Sequence, residues 1–380
     1  MNLSLNEEQL LIKNSAEKFF LDNLSFEQRN KILTSDGKLC EDLIVKSKEL
    51  GWYGLPFDQK FGGLGGNITD VMTLIETFGA SLHVDPYIFS LLLPGKIIEH
   101  FCDEDKKSHY LDKIINDNIK LAYCFAEPNI RFDIHKLNCK VYLEENKYFL
   151  KGKKMLVLAA DQANSIIVPA MDKDKNVYLV KIDNTSKNFL SNKYKIIDDS
   201  DAVDYEFDGF EFNENDILVK LNYDEYKKKI SIIFDYLTLA VCSEALGVIE
   251  KMYKLTLEYV KTREQFGKRI GDFQVIQHRM VEMYIIKEEM RSLNCSAQVS
   301  FSNNDPKERI KSISLNKIFL DTKAKEAAQD CIQLHGGMGV ANEMSIGHFF
   351  KKLTFLSMLF GDSDYHYKSC LLYTSPSPRD

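Results

Sequence analysis

Apolar residues at helical spacing open the chain. Asn6 precedes Glu7, Glu8 and Gln9, so Asn6 can cap a helix whose third position, Gln9, reaches back to it, and Leu5 and Leu10 are placed to close a hydrophobic staple. That helix is predicted to run to about Leu21. The same period returns over residues 39–50, 69–79, 88–100 and 103–115, with turn residues between, notably Gly62-Gly63-Leu64-Gly65-Gly66. Residues 1–118 therefore read as an N-terminal helical domain. Near Leu121 the pattern shifts to short β-branched and aromatic segments at 141–143, 148–150, 155–158, 166–168, 177–182 and 205–212, separated by turn signals. These predict a middle β-domain over 119–220. Helical periodicity resumes over 221–369, where Ile233, Leu237, Val241, Val248, Met252, Leu255 and Tyr259 share one stripe. The chain reads as α+β, mostly α, in the order α, β, α, with no internal repeat.

At 380 residues, 44% hydrophobic and 28% charged, the chain is long enough for more than one core, which excludes a disordered, collagenous or disulfide-scaffold protein. Its 56 acidic and 49 basic side chains give a net charge of −7, so no basic face for nucleic acid is expected. Glu7 and Glu8 stand where a signal peptide needs a basic start, and Asp235 and Glu244 interrupt the longest apolar stretch, residues 232–249. A cytoplasmic protein without a membrane span is expected. The cysteines at 40, 102, 124, 139, 242, 295, 331 and 370 form no C-x-x-C pair and no cluster with histidine, so they read as free thiols packed as small hydrophobes, and no metal site is expected. Residues 370–380, CLLYTSPSPRD, resemble one reading frame of a sequencing adapter; Pro376 and Pro378 break the preceding helical pattern, and the segment is set apart from the fold.

Two glycine clusters invite a dinucleotide reading, but Gly63-x-Gly65 is followed by Ile68 and Gly337-x-Gly339 by Asn342 where a third glycine is required. A tight loop and a helix C-cap are the simpler readings. Arg263, at a helix end beside Gly267, suits either a bidentate contact to a diphosphate or a solvated cap. In Gln333-Leu334-His335-Gly336-Gly337 the missing Cβ atoms allow backbone N–H groups to approach an anion.

Taken in order, Glu49-Leu50-Gly51-Trp52 with Phe61-Gly62-Gly63-Leu64-Gly65-Gly66, Ala126-Glu127-Pro128, Lys151-Gly152-Lys153-Lys154, Thr262-Arg263-Glu264-Gln265-Phe266-Gly267 and Gln333-Leu334-His335-Gly336-Gly337 resemble the acyl-CoA dehydrogenase family over residues 1–369. The resemblance implies that family's fold: a helical N-terminal domain, a β-barrel-like middle domain and a C-terminal four-helix bundle, assembled as a tetramer. It implies FAD as cofactor, an acyl-CoA substrate and an electron-transfer flavoprotein as electron acceptor. It implies that Arg263, Gln265 and Phe266, with Gln333, Gly336 and Gly337, contact the FAD of a neighbouring subunit, while Phe125 and Ala126 face the flavin of the chain's own β-domain. The reaction so implied takes a proton from Cα and a hydride from Cβ of a saturated thioester, giving the 2-enoyl-CoA.

The chain also departs from that pattern. Phe360, in Phe360-Gly361-Asp362, stands where the commoner members carry the glutamate base, and Leu237 stands at the alternative position of that base. Ala126 replaces a threonine that commonly hydrogen-bonds the flavin, and Asn129-Ile130-Arg131-Phe132-Asp133 replaces a G-S-D sequence. These departures resemble the small-subunit branch typified by pimeloyl-CoA dehydrogenase, in which a larger subunit is the partner. Three carboxylates remain as local candidates: Glu244, on an apolar stripe where burial would raise its pKa, Asp362, otherwise a helix cap, and Asp235. Asp235 reads as a helix-start dipole partner, and His335 and His366 as satisfied structural histidines. The leading expectation is a dehydrogenase small subunit; the alternatives are a silent partner that completes a neighbour's FAD site and a self-sufficient homotetramer using Asp362 or Glu244.

Overall fold

The structure, a computed structural model, describes residues 5–34, 38–117, 119–186, 188–303 and 305–373. Pro376 and Pro378 and the side chain of Cys40 lie outside the described residues. The first helices are α1 (Glu7–Asn23), α2 (Phe26–Thr34), α3 (Lys38–Glu49), α4 (Ile68–Ser81), α5 (Leu93–Phe101) and α6 (Glu104–Ile115). The strands β1 (Leu121–Tyr123), β2 (Lys140–Glu144), β3 (Lys147–Leu158), β4 (Ser165–Met171), β5 (Asn176–Asp183), β6 (Leu190–Lys195), β7 (Asp201–Phe212) and β8 (Ile217–Asn222) follow. Then come α7 (Tyr223–Thr262), the short strands β9 (Glu264–Gln265) and β10 (Lys268–Arg269), α8 (Gln274–Ser302), α9 (Pro306–Phe319), α10 (Lys325–His335), α11 (Ser345–Met358) and α12 (Ser363–Tyr373). Two compact units divide the chain, one of Met1–Asp36, Asn67–Val84 and Thr238–Asp380, the other of Gly37–Gly66 and Asp85–Leu237.

In the first unit the capping box at Asn6 forms as the sequence predicts, with Gln9 N–H on Asn6 Oδ1 at 2.8 Å and Asn6 N–H on Gln9 Oε1 at 3.0 Å. The Gln9 amide then donates to Asp70 at 2.9 Å, tying α1 to α4. Helices α4 and α7 cross backbone to backbone: a Cβ on Gly79 would lie 1.9 Å from the Glu244 carbonyl oxygen, and one on Gly247 1.8 Å from that of Glu76. Arg291 of α8 closes this crossing by donating to Glu76 at 3.1 Å and to Glu250. Burial pushes the Glu76 carboxyl up; burial opposes Glu250's charge too, but its Lys254 hydrogen bond and Arg291 hold it down to about 2.

In the second unit an eight-stranded sheet runs β6-β7-β3-β2-β4-β5-β8, with β1 parallel to β4. Alternation places Val141, Leu150, Val168, Val180 and Phe207 in one core. The segments predicted at 148–150 and 155–158 are parts of one strand, β3: the polar run Lys151-Gly152-Lys153-Lys154 between them pairs with β7, and register shifts fall between Leu150 and Lys151 and between Lys154 and Val157. Alternation from Leu150 places Lys154, opposite Tyr205, on the core face. Its ammonium, 0% exposed, meets Glu127 at 2.6 Å. Glu127 also accepts the Asn138 N–H at 2.6 Å and the Cys139 N–H at 3.2 Å, so the buried carboxylate is held by backbone donors as well as by the ammonium.

Several expectations need correction. Helix α2 and strands β6 and β8 are absent from the sequence reading because their apolar positions are few or unpatterned; β6 is exposed along most of its length. Asp235 does not start a helix: α7 begins at Tyr223, Asp224 and Glu225 fill its first turn, and Asp235 lies well inside it. Leu10 is 44% exposed, which leaves little of the proposed staple. Helix α7 is long and apolar enough to cross a membrane, but most of its apolar window is buried within the protein. Cys102, Cys124, Cys139, Cys242 and Cys331 are free and buried.

Candidate cofactor and active site

Helix α7 ends in a hairpin. The Arg263 N–H donates to the Tyr259 carbonyl at 2.8 Å, β9 and β10 pair, and the turn between them holds Phe266 at φ 54° and Gly267 at φ 78°. Two successive left-handed residues make the tight turn that hairpins favour; glycine takes that conformation freely, whereas phenylalanine is strained in it. Phe266 is 93% exposed at the tip. Helix α10 ends at His335, where Gly336 adopts φ 59° and its N–H returns to the Gln333 carbonyl. This is the helix C-cap that the glycine pattern predicts.

The structure joins these two loops. The Tyr259 ring stacks on His335 at 4.4 Å between centroids and 23° between planes, and the Tyr259 hydroxyl donates to the His335 carbonyl at 3.4 Å. His335 Nδ1 lies 2.8 Å from the Cys331 carbonyl, so Nδ1 carries a proton, and burial holds the imidazole below its usual range. Around this contact Arg263, Gln265, Phe266, Gln333, Gly336 and Gly337 are all exposed. A Cβ built on Gly267, Gly336 or Gly337 meets nothing within 4 Å. An exposed guanidinium beside open, Cβ-free backbone fits the diphosphate of a dinucleotide.

The other glycine loop is closed. The N–H groups of Gly63, Leu64, Gly65 and Gly66 donate to the carbonyls of Asp58, Gly54, Phe57 and Leu55, and a Cβ on Gly63 would lie 2.1 Å from the Phe57 oxygen. Gly63 and Gly66 serve this close packing, while Gly62 and Gly65, at φ 84° and 69°, make the turn.

The β-domain residues fit a flavin poorly. Phe125 packs edge-on against Phe234 at 5.4 Å, and the Ala126 carbonyl accepts the Met155 N–H at 2.9 Å. Neither side chain carries a polar atom for an isoalloxazine ring, and the neighbouring Glu127 is engaged by Lys154. Asn129 and Arg131 hold the following loop at φ 63° and 49°.

Phe360, at the position where the sequence resemblance implies a base, is buried at 8% exposure with φ 58°. His366 Nε2 lies 3.1 Å from the Phe360 carbonyl and Nδ1 lies 3.2 Å from the Ser314 hydroxyl, so Nε2 donates and Nδ1 accepts. Burial, helped by nearby Lys317, pushes this imidazole down to about 3. Lys317, 0% exposed, donates to the Leu356 and Ser357 carbonyls at 2.7 and 2.6 Å at the end of α11, and burial lowers it to about 8. Asp362 accepts the Tyr365 N–H at 2.9 Å and so caps α12. Glu244 is buried as expected but is not a lone acid: Lys352 meets it at 2.9 Å. Asp362 and Glu244 therefore both have structural partners. Lys317, Lys352 and Tyr259 were missed as site residues in the sequence; only Tyr259, one turn before Arg263, carried a local signal.

Comparison with known proteins agrees with this geometry. Residues 6–118 match the acyl-CoA dehydrogenase N-terminal domain and residues 231–370 the acyl-CoA dehydrogenase C-terminal domain. The bovine (Bos taurus) mitochondrial short/branched chain specific acyl-CoA dehydrogenase is 24% identical over 92% of this chain and 81% of its own. The caffeyl-CoA reductase–Etf complex subunit CarC of Acetobacterium woodii is 23% identical over 94% of this chain and 96% of its own. Among solved structures, the ChsE4–ChsE5 complex of Mycobacterium tuberculosis superposes with a TM-score of 0.87 at 16% identity, over 99% of this chain and 100% of the matched one. With both domain matches in register and the fold shared from end to end, the chain belongs to the acyl-CoA dehydrogenase family.

Proposed function

We propose that this chain acts in the α,β-dehydrogenation of an acyl-CoA thioester as the small subunit of a hetero-oligomer, lending its helix-end loops to FAD and relying on a larger family member for the catalytic base. The observation that carries this reading is Phe360, a buried side chain with no proton-accepting group at the base position, while Asp362 caps a helix and Glu244 is paired with Lys352. FAD, when bound, supplies the acceptor for the hydride leaving Cβ. This chain's part is to hold the cofactor's diphosphate with Arg263, Gln265 and the Gln333-to-Gly337 loop, with Phe266 reaching outward from the hairpin tip. The likeness to a two-component complex supports an unlike partner, and the likeness to an Etf-complex subunit supports an electron-transfer flavoprotein as the electron acceptor.

The reading is tested by co-expressing the chain with a base-bearing family member. Acyl-CoA-dependent dye reduction by the pair, absent from either chain alone, is expected. Full turnover by this chain alone would support the self-sufficient alternative instead.

A further inference from the structure

We infer that this chain's own β-domain is closed to flavin, so that in the assembly the flavins rest on the partner's β-domain and this chain contributes only its helix-end loops. The inference deepens the two-subunit reading and rests on it for the identity of the partner.

The closure is built from one bulge. Lys154 pairs with Tyr205 and Val157 with Val203, so Met155 and Leu156 together oppose Asp204. The bulge turns the Met155 N–H onto the Ala126 carbonyl at 2.9 Å and the Leu156 N–H onto Asp204 Oδ1 at 2.9 Å. Tyr194 donates its hydroxyl to the same carboxylate oxygen at 2.8 Å, which fixes the cap. Leu156 is held at φ 49°, a left-handed conformation that a leucine adopts only when its surroundings impose it. Met155 and Leu156, which reach the surface beside Ala126, and the buried Val157 and Leu158 carry no polar side chain, and the Met155 and Leu156 N–H groups are taken up internally. An isoalloxazine ring has an imide N–H, carbonyl oxygens and a redox-active nitrogen, and burying these against apolar side chains leaves them unpaired. Freeing the Leu156 N–H would break the Asp204 cap of an already strained bulge.

The test counts flavins. The full chain is titrated with FAD alone, and its complex with a base-bearing partner is assayed for released FAD against protein. Half as many flavins as chains in the complex, and no saturable binding by the chain alone, are expected. One flavin per chain, or stoichiometric binding by the chain alone, overturns the inference. Ala126→Trp, checked for partner capture and unaltered circular dichroism, is expected to leave the flavin content of the complex unchanged, whereas Arg263→Ala lowers it; a loss with Ala126→Trp overturns the inference. Failure to capture any partner sinks the two-subunit reading but not this one, which the titration of the chain alone still decides.

Discussion

Tyr259 and His335, on helices far apart in sequence, stack face to face at 4.4 Å, and this contact ties the Arg263 hairpin to the Gln333 loop. His335 is fixed on its other edge by the Cys331 carbonyl, so the pair forms a rigid support beneath two exposed loops. Replacing Tyr259 with Ala removes the stack and the hydroxyl donor. It is expected to cost about 1 kcal/mol of stability and to weaken FAD retention in the assembly. Tyr259→Phe keeps the stack and is expected to retain most of both. Thermal unfolding and flavin release rates, measured on both variants, separate the ring from the hydroxyl.

Arg263→Ala is expected to weaken FAD binding in the assembly by about tenfold or more, and Arg263→Lys by less, because a lysine keeps charge without the planar fork. Equilibrium dialysis of the complex against FAD measures this. Unchanged affinity in the alanine variant would remove Arg263 from the cofactor site.

The buried pair of Lys154 and Glu127 makes a stability prediction. Lys154→Ala leaves a carboxylate at 0% exposure with only backbone donors, and a loss of about 3–5 kcal/mol is expected. Urea unfolding of the β-domain signal reads it. A loss below about 1 kcal/mol would mean that the pair behaves as a solvated one.

Acid is expected to destabilise the protein in a defined window. His366 and His83 are both buried and held down to about 3, far below the 6.5 of a free imidazole. Below 6.5 the unfolded chain takes up protons that the folded chain refuses, so stability is complete above that pH and falls as pH drops toward 3. Each group contributes up to about 1.4 kcal/mol per pH unit within the window. Glu250, held at about 2, loses its contribution as pH falls below the ordinary carboxylate range. Denaturant midpoints from pH 8 to pH 4 are expected to fall, and His366→Gln to flatten the slope. A flat profile in the unsubstituted chain would contradict the burial of these imidazoles.

What the sequence made legible follows the range of the forces involved. The α1 cap was readable because Asn6 and Gln9 are near neighbours whose hydrogen bonds need no tertiary partner. The α, β, α order was readable because hydrophobic period survives in single segments. Strand β3 reads as two segments because the polar run Lys151-Gly152-Lys153-Lys154 breaks the apolar pattern, and nothing local announces that Lys154 is buried against Glu127. Glu244 looked like an isolated buried acid because its cation, Lys352, lies in a distant helix. Likewise the motifs at Arg263 and Gln333 were each visible, but their joining through Tyr259 and His335 is a product of packing.

The most direct test of the central claim, that this chain carries no complete active site of its own, is the visible spectrum of the purified chain after addition of FAD and then an acyl-CoA. A spectrum of free FAD that does not bleach is expected. A protein-bound flavin band that bleaches on acyl-CoA addition would contradict it, and would mean that a base and a flavin platform exist within this chain.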